Sequence, residues 1–240
     1  MNDWAPKRFW TRAEVVARDG GFAVDLDDRA VKTPYETPLI LPTRGLAELV
    51  AAEWQAQTDR IDPTTMPATR AANSAIDKVT PQREAVAAML SAYGENDLLC
   101  YRADGPEELV ARQAEAWDPW LEWSRQALDA PLRVTTGIMP IEQPPDSLDR
   151  LRAQVDRLDA WELTGFHDLV QLSGSLVLAL AVARRKLEAD DAWQISRVDE
   201  RFQAEQWGED EEAAEVAAIK QQAMRDGAQF LALSRISESS

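Results

Sequence analysis

The 240-residue sequence has only one cysteine and one histidine, two residue types that build disulfides, metal centres and many catalytic sites. Its single cysteine, Cys100, excludes an internal disulfide and a cysteine-rich metal site. Its single histidine, His167, would need carboxylate partners from elsewhere in the chain to form a metal site or a catalytic base, and no motif supplies them. We therefore expect Cys100 to be a small buried hydrophobe rather than a nucleophile, and His167 to make an ordinary hydrogen bond.

Motifs for nucleotide binding and for common hydrolases are also absent. The sequence contains no Gly-x-x-x-x-Gly-Lys phosphate loop, no Gly-x-Gly-x-x-Gly, no His-Glu-x-x-His and no Gly-x-Ser-x-Gly. Carboxylate pairs are common in an acidic chain and indicate a site only where a cleft brings them together. These absences predict a protein that is not an enzyme and needs no cofactor. The alternative is an enzyme with a carboxylate-lined cleft in a helical domain.

Basic residues are too few to form the positive surface that nucleic acids require. The chain has 42 Asp and Glu against 26 Lys and Arg, which gives a formal net charge of -16. This charge argues against binding to nucleic acid or to an anionic membrane surface. A basic or amphoteric protein partner is compatible with it. Because the N-terminus has no apolar signal core, we expect the protein in the cytoplasm of a bacterium.

The longest apolar run, from Leu169 to Ala183, is too short to span a membrane, which takes about 20 apolar residues. A helix that is apolar on all sides must be buried on all sides. The run therefore predicts one central core helix around which a helical domain is organised, without membrane insertion. The small residues 173–175 within it would let a neighbouring helix approach closely.

The N-terminal part of the chain predicts an antiparallel meander covered by one helix. Four segments are apolar or alternate in polarity and are separated by turn residues: 15–18, 22–26, 29–33 and 39–41. Thr43 is placed to cap a helix. The apolar positions of that helix fall at helical spacing and can cover the sheet: Leu46, Leu49, Val50 and Trp54.

The rest of the chain is helical in pattern almost to its end. Residues 61–67 contain two prolines and no periodicity, so we predict a small β-rich domain over residues 1–65 and an all-α helical domain over residues 66–240. The predicted fold class is α+β. The first 65 residues hold 11 acidic and 8 basic side chains, a net -3, so the remaining -13 of the charge lies in the helical domain.

One face of the segment after the central helix carries polar and aromatic side chains. At about 100° per residue, four of them fall within about 60° of one another: Ser196, Glu200, Gln203 and Trp207. A carboxylate, an amide and an indole in one row can recognise a partly polar protein surface. In the other interpretation, the face is solvated and Trp207 folds into the core. Trp54 and Trp120 likewise fit either core packing or partner contact.

A last helix is predicted near the C-terminus. Its apolar stripe consists of Val216, Ile219, Ala223, Gly227 and Phe230. The acidic residues 209–212 suit its start, where negative charge meets the positive end of the helix dipole. Residues 237–240 should fray.

Six sequence blocks occur together and in order along the chain. They are Val31-Lys32-Thr33-Pro34, Glu53-Trp54, Met66-Pro67-x-Thr69-Arg70-x-x-Asn73-Ser74-Ala75-Ile76-Asp77, Asp97-Leu98-Leu99-Cys100-Tyr101-Arg102, Leu172-Ser173-Gly174-Ser175-Leu176 and Arg197-x-Asp199-Glu200-x-x-Gln203-x-x-x-Trp207-Gly208. Together they resemble the assembly chaperones for the alpha subunit of the F-type ATP synthase catalytic head. The match runs from about Phe9 to Gly208. It departs from the family pattern at Asp28, where glycine is common, and at Ala71, where leucine is common.

The resemblance implies a small N-terminal domain with a β-sheet and a larger helical domain. It also implies a function, which is to bind newly made alpha subunit until the beta subunit takes its place. The resemblance favours Glu200, Gln203 and Trp207 as residues that contact the partner. For Trp54 a structural role is still the first expectation. We expect a monomer. A third possibility is an inert scaffold that joins a larger complex permanently.

Overall fold

The computed structural model of the protein describes residues 6–208 and 210–235. Two predicted features lie outside these residues: Glu209 in the acidic helix start, and the frayed end over residues 237–240. The chain divides into two compact units. The sheet unit contains residues 6–83, Ala160–Gly165 and residues 229–235, and the helical unit contains Glu84–Asp159 and Phe166–Ala228. The predicted domain boundary between residues 65 and 66 stays a prediction.

The sheet unit contains four antiparallel strands arranged around one of them. They are β1 (Ala13–Arg18), β2 (Gly21–Leu26), β3 (Arg29–Ala30) and β4 (Ile40–Leu41). One edge of β2 pairs with the whole of β1, and the other edge pairs with β3 near Leu26 and with β4 near Phe22. The antiparallel sheet is confirmed, but the simple meander was wrong. Because β3 covers only one end of β2, the backbone groups at the other end pair with β4.

Helix α1 (Arg44–Ala56) covers the sheet, as its apolar spacing predicts. Thr43 caps this helix, because its Oγ1 accepts a hydrogen bond from the backbone N–H of Leu46 at 3.1 Å. The buried residues of α1 pack with those of the strands in one core, to which Phe230 also contributes. The predicted covering helix is confirmed.

A carboxylate of α1 holds the start of the next helix, α2 (Pro67–Ser74). Glu53 accepts hydrogen bonds at 2.7 Å from the backbone N–H groups of Ala68 and Thr69 and from the Thr69 hydroxyl. The first N–H groups of a helix have no partner within the helix, and negative charge is favourable there. This contact brings two of the six sequence blocks together.

Helices form most of the helical unit, and two of these helices extend into the sheet unit, over residues 160–165 and 229–234. In chain order the helices after α2 are α3 (Arg83–Ser91), α4 (Glu107–Ala127), α5 (Pro145–Val155), α6 (Ala160–Ser173), α7 (Leu176–Ala183), α8 (Ala189–Ser196), α9 (Val198–Trp207) and α10 (Glu211–Ser234). Two short strands, β5 (Tyr101–Arg102) and β6 (Thr135–Thr136), form a parallel pair, so the unit is not wholly helical. The predicted α+β class is confirmed. Among the described residues, no helix is both long enough and apolar enough to cross a membrane.

The central apolar run forms two helices rather than the single helix that its composition predicts. Gly174 separates α6 from α7 with a φ of +67°, a left-handed conformation that glycine adopts without steric cost. Ser175 then caps α7, because its Oγ accepts a hydrogen bond from the N–H of Leu178 at 3.1 Å. The single helix was wrong because serine and glycine favour a turn and a cap over a continuous helix. The burial was predicted correctly, since every residue of α7 except Val182 is buried.

A buried aspartate also holds the start of α7. Asp97 is fully buried, and its carboxylate accepts hydrogen bonds from the N–H groups of Val177 at 3.0 Å and Leu99 at 3.1 Å. Burial raises the pKa of Asp97 from its usual 3.8 to about 6, and hydrogen bonds, among them that of the Ser175 side chain, offset part of the rise. Two further sequence blocks therefore meet at this carboxylate.

Candidate partner-binding surface

Helix α9 presents three of the four side chains of the predicted row. Glu200 and Gln203 are exposed, and Trp207, the last residue of the helix, is 80% exposed. Phe202, on the other side of the helix, is buried. Glu200, Gln203 and Trp207 therefore form one exposed polar and aromatic surface, which we call the α9 face. The interpretation in which Trp207 folds into the core was wrong.

Ser196 does not belong to the α9 face. It is the last residue of α8, it is 6% exposed, and its hydroxyl donates a hydrogen bond to the carbonyl of Trp193 at 2.8 Å. Arg197, with φ -110° and ψ 22°, interrupts the helical conformation between α8 and α9. The grouping of Ser196 with the other three residues was wrong because it assumed one continuous helix.

Side chains of α4 hold α9 in place. Gln113 is buried, and its amide donates a hydrogen bond to Asp199 Oδ1 at 2.6 Å. Arg112 donates a hydrogen bond to Glu205 Oε2 at 2.6 Å, and its guanidinium carbon lies 5.3 Å from the centre of the Phe202 ring. The α9 face thus lies on a helix whose other side is held by contacts with α4. Sequence reasoning missed Arg112 and Gln113 because no local pattern links them to α9.

The carboxylate of the α9 face, Glu200, forms an ion pair with a nearby arginine. Arg197 Nη1 lies 2.7 Å from Glu200 Oε1, and the same guanidinium lies over the ring of Trp193, 5.2 Å from its centre. Stacking on the ring orients the arginine, and the arginine orients the carboxylate. The ion pair therefore orients Glu200, although its side chain is exposed.

The two other candidate tryptophans are half-buried. Trp54 packs against the core of the sheet unit, with its ring centre 5.3 Å from that of Trp10. Trp120 lies on α4, with its ring centre 6.2 Å from that of Trp123. Trp117, one turn away on α4, is fully buried and donates a hydrogen bond from Nε1 to the carbonyl of Ile195 at 2.8 Å. A partner contact by Trp54 or Trp120 stays a prediction.

The lone histidine, His167, is half-buried, and the lone cysteine, Cys100, is buried. His167 Nδ1 lies 3.0 Å from Asp168 Oδ1, which belongs to its neighbour in the chain. Cys100 is fully buried, and burial, aided by the charge of Asp97, raises the pKa of its thiol to about 12. Within residues 6–208 and 210–235, no group of three or more His, Cys, Asp or Glu side chains could hold a metal ion.

The alternative function, an enzyme, would need a carboxylate-lined cleft, and the helical unit contains a cleft with carboxylates in its lining. It lies between residues 88–95 and residues 145–152 and is lined by two carboxylates, Glu95 and Asp149, together with Arg152 and Ser91. Both carboxylates are exposed, and His167 is not among the lining residues. Exposed carboxylates are frequent on an acidic chain and do not by themselves indicate catalysis.

Comparison with known proteins defines the class of protein as a chaperone. The family model described as ATP12 chaperone protein matches residues 7–125. A crystal structure of Atp12 from Paracoccus denitrificans is 54% identical, with a TM-score of 0.93 and with 95% of this chain and 98% of that chain covered. A mutant of the P. denitrificans protein gives 53% identity, the same coverage and the same TM-score. The mitochondrial protein atp12 of Schizosaccharomyces pombe is 25% identical over 226 residues, which are 88% of this chain and 76% of the relative. The chain belongs to the ATP12 chaperone family.

Proposed function

We propose that this protein binds the unassembled alpha subunit of the F-type ATP synthase catalytic head and prevents its aggregation until the beta subunit replaces it. The observation that carries the proposal is the α9 face, where Trp207 is 80% exposed beside Gln203 and Glu200. A large exposed aromatic side chain next to fixed polar groups is typical of a protein-binding surface. Membership of the ATP12 chaperone family supports the same role.

The physical need for such a chaperone follows from the assembly of the head. A subunit that will bury a large, partly apolar face against its neighbour exposes that face while it is alone, and exposed apolar patches aggregate. A chaperone must cover the face and later release it. An interface of moderate area with a polar rim meets both requirements better than an obligate, core-like one. The α9 face has this mixed character.

We further propose that the protein acts without catalysis, metal or nucleotide, as a monomer in the bacterial cytoplasm. The burial of Cys100 and the chain-neighbour contact of His167 support a non-catalytic role. For Trp54 and Trp120 we propose structural roles, since each ring packs against another tryptophan, and partner contact is the alternative. The enzyme alternative would be favoured by turnover of a small molecule at the cleft near Glu95.

Capture of alpha subunit by variants of the α9 face tests the proposal. Alpha subunit is expressed without beta subunit and is co-purified with the tagged protein. We expect Trp207→Ala and Glu200→Lys each to lower the affinity about tenfold or more, because one central aromatic or charged contact commonly contributes about 2 kcal/mol to binding. Circular dichroism and thermal unfolding check that each variant is folded.

Matched controls separate the α9 face from the rest of the surface. Glu115→Lys makes the same charge change at an exposed position on α4, and Tyr35→Ala removes another aromatic residue that is 71% exposed. Both controls should capture alpha subunit as the unchanged protein does. If Glu200→Lys and Trp207→Ala fold and capture normally, the α9 face is not the contact.

A further inference from the structure

The first half of helix α10 is largely exposed, with only Ala214 and Ala217 partly buried. None of residues 211–220, all of which the structure describes, is buried. Val216 is 46% exposed and Ile219 is 70% exposed. Their apolar spacing predicts that both lie in the packed stripe of the last helix, and this prediction was wrong for the first half of the helix.

The two exposed residues nevertheless continue the side of α10 that is buried further along. Val216 precedes the buried Gly227 by eleven residues, about three turns, so the two positions differ by only about 20° around the helix. Ile219 lies one turn after Val216 on the same side. The middle of the helix is fixed, because Arg225 and Gln221 both donate hydrogen bonds to Asp190 Oδ1, at 2.6 Å and 2.8 Å. The side of α10 that is buried at Gly227 is therefore exposed to solvent at Val216 and Ile219.

The uncovered stripe adjoins the α9 face in the chain. Trp207 ends α9, and only three residues separate it from the first residue of α10. Asp210 caps α10 by accepting a hydrogen bond from the N–H of Glu212 at 2.9 Å. The three large exposed apolar side chains of this region are therefore held on two defined helices: Trp207, Val216 and Ile219.

The charge around the stripe has one sign. Between Arg201 and Lys220 the sequence has six acidic residues and no basic one. Of these acidic residues, Glu205, Asp210, Glu211, Glu212 and Glu215 are exposed. Apolar contact at this surface therefore occurs beside strong negative charge, which favours a partner with Lys or Arg next to its apolar side chains and disfavours an acidic one. A second copy of this chain would bring two acidic segments together.

From these observations we infer that the first half of α10 is a docking surface for a segment of the client polypeptide that combines apolar side chains with flanking Lys or Arg. This inference rests on the proposed function and extends it, because it adds a second contact to the α9 face and states the chemistry of what binds there. The apolar residues of the segment cover Val216 and Ile219. Its basic residues lie beside the carboxylates of the helix start and speed association by electrostatic attraction.

The test compares two double variants in binding to purified alpha subunit that has been expressed without beta subunit. Val216→Ser with Ile219→Ser removes the apolar stripe, and Ile138→Ser with Met139→Ser removes a similar apolar area from a loop where these residues are 94% and 72% exposed. We expect the first variant to weaken the Kd about tenfold or more and the second to leave it unchanged. Because both pairs are exposed, both variants should keep the thermal unfolding midpoint of the unchanged protein.

A charge variant tests the second half of the inference. Glu212→Lys with Glu215→Lys should slow association about tenfold at low salt and reduce its dependence on salt, with little change in the dissociation rate.

The outcomes are distinguishable. If the unchanged protein binds no alpha subunit, the proposed function fails and the inference fails with it. If the unchanged protein binds and the Val216/Ile219 variant binds equally well, or if the loop variant loses as much affinity, the inference alone fails. It also fails if the unchanged protein is a dimer that the Val216/Ile219 variant converts to a monomer, since the surface would then pair copies of this chain.

Discussion

At the scale of single residues, Asp97 combines complete burial with a structural task. Its carboxylate accepts hydrogen bonds at the start of α7, yet burial raises its pKa to about 6. A group whose pKa is higher in the folded state contributes stability that is fully present below its unfolded pKa and is lost as the pH rises through its folded pKa. Asp97 should therefore stabilise the fold more at pH 4 than at pH 7.

The variant Asp97→Asn tests this pH dependence. A shift from 3.8 to about 6 corresponds to about 3 kcal/mol. The difference in free energy of unfolding between the unchanged protein and Asp97→Asn should fall by roughly 2 kcal/mol between pH 4 and pH 7, because at pH 4 the unfolded carboxyl is already partly ionised. Urea denaturation at a series of pH values measures it, and the comparison cancels the contribution of the other carboxyl groups. A difference that stays constant with pH would contradict the account.

Several contacts of single residues could not be predicted from the sequence. The pairs Gln113–Asp199 and Arg112–Glu205 join α4 to α9 across 86 and 93 residues, and no local spacing encodes them. Helical periodicity placed Glu200, Gln203 and Trp207 on one face but left open whether Trp207 is exposed, whereas it misplaced Ser196. Periodicity gives the face of a residue only as long as the helix is continuous.

At the scale of secondary-structure elements, local pattern identified most helices and strands but not their interruptions. The capped helix α1 and strands β1 and β2 follow from Thr43 and from alternating polarity. The break at Gly174 lies in a run whose composition favours a buried helix. The pairing of β4 with β2 depends on which part of an edge is free, which is a property of the assembled sheet.

The break between α6 and α7 can be tested at Gly174. A Cβ at this position would lie 3.8 Å from Leu98 Cβ, an ordinary contact, so the cost of a side chain comes from the backbone. With φ at +67°, Gly174→Ala should lower the free energy of unfolding by about 1–2 kcal/mol. Gly174→Asn should cost less, because asparagine tolerates this conformation better. Chemical denaturation measures both, and an alanine variant as stable as the unchanged protein would contradict the account.

At the scale of the whole molecule, the distribution of charge and exposed apolar surface fits a protein that holds another and releases it. A formal charge of -16 limits self-association and aggregation, while steering a partner with complementary charge. The α9 face and the uncovered start of α10 offer apolar contact beside that charge. The net charge and the fold class could be obtained from the sequence. The exposure of Val216 and Ile219 could not, because it depends on which other elements pack against α10.

We propose that the protein shelters isolated alpha subunit and yields it to beta subunit. The most direct measurement is light scattering of isolated alpha subunit, with and without the protein, followed by addition of beta subunit and size-exclusion chromatography. The account predicts that the protein suppresses scattering, co-elutes with alpha subunit, and elutes alone once beta subunit has bound. Unchanged scattering in the presence of folded protein, or retention of the protein in the alpha–beta complex, would contradict it.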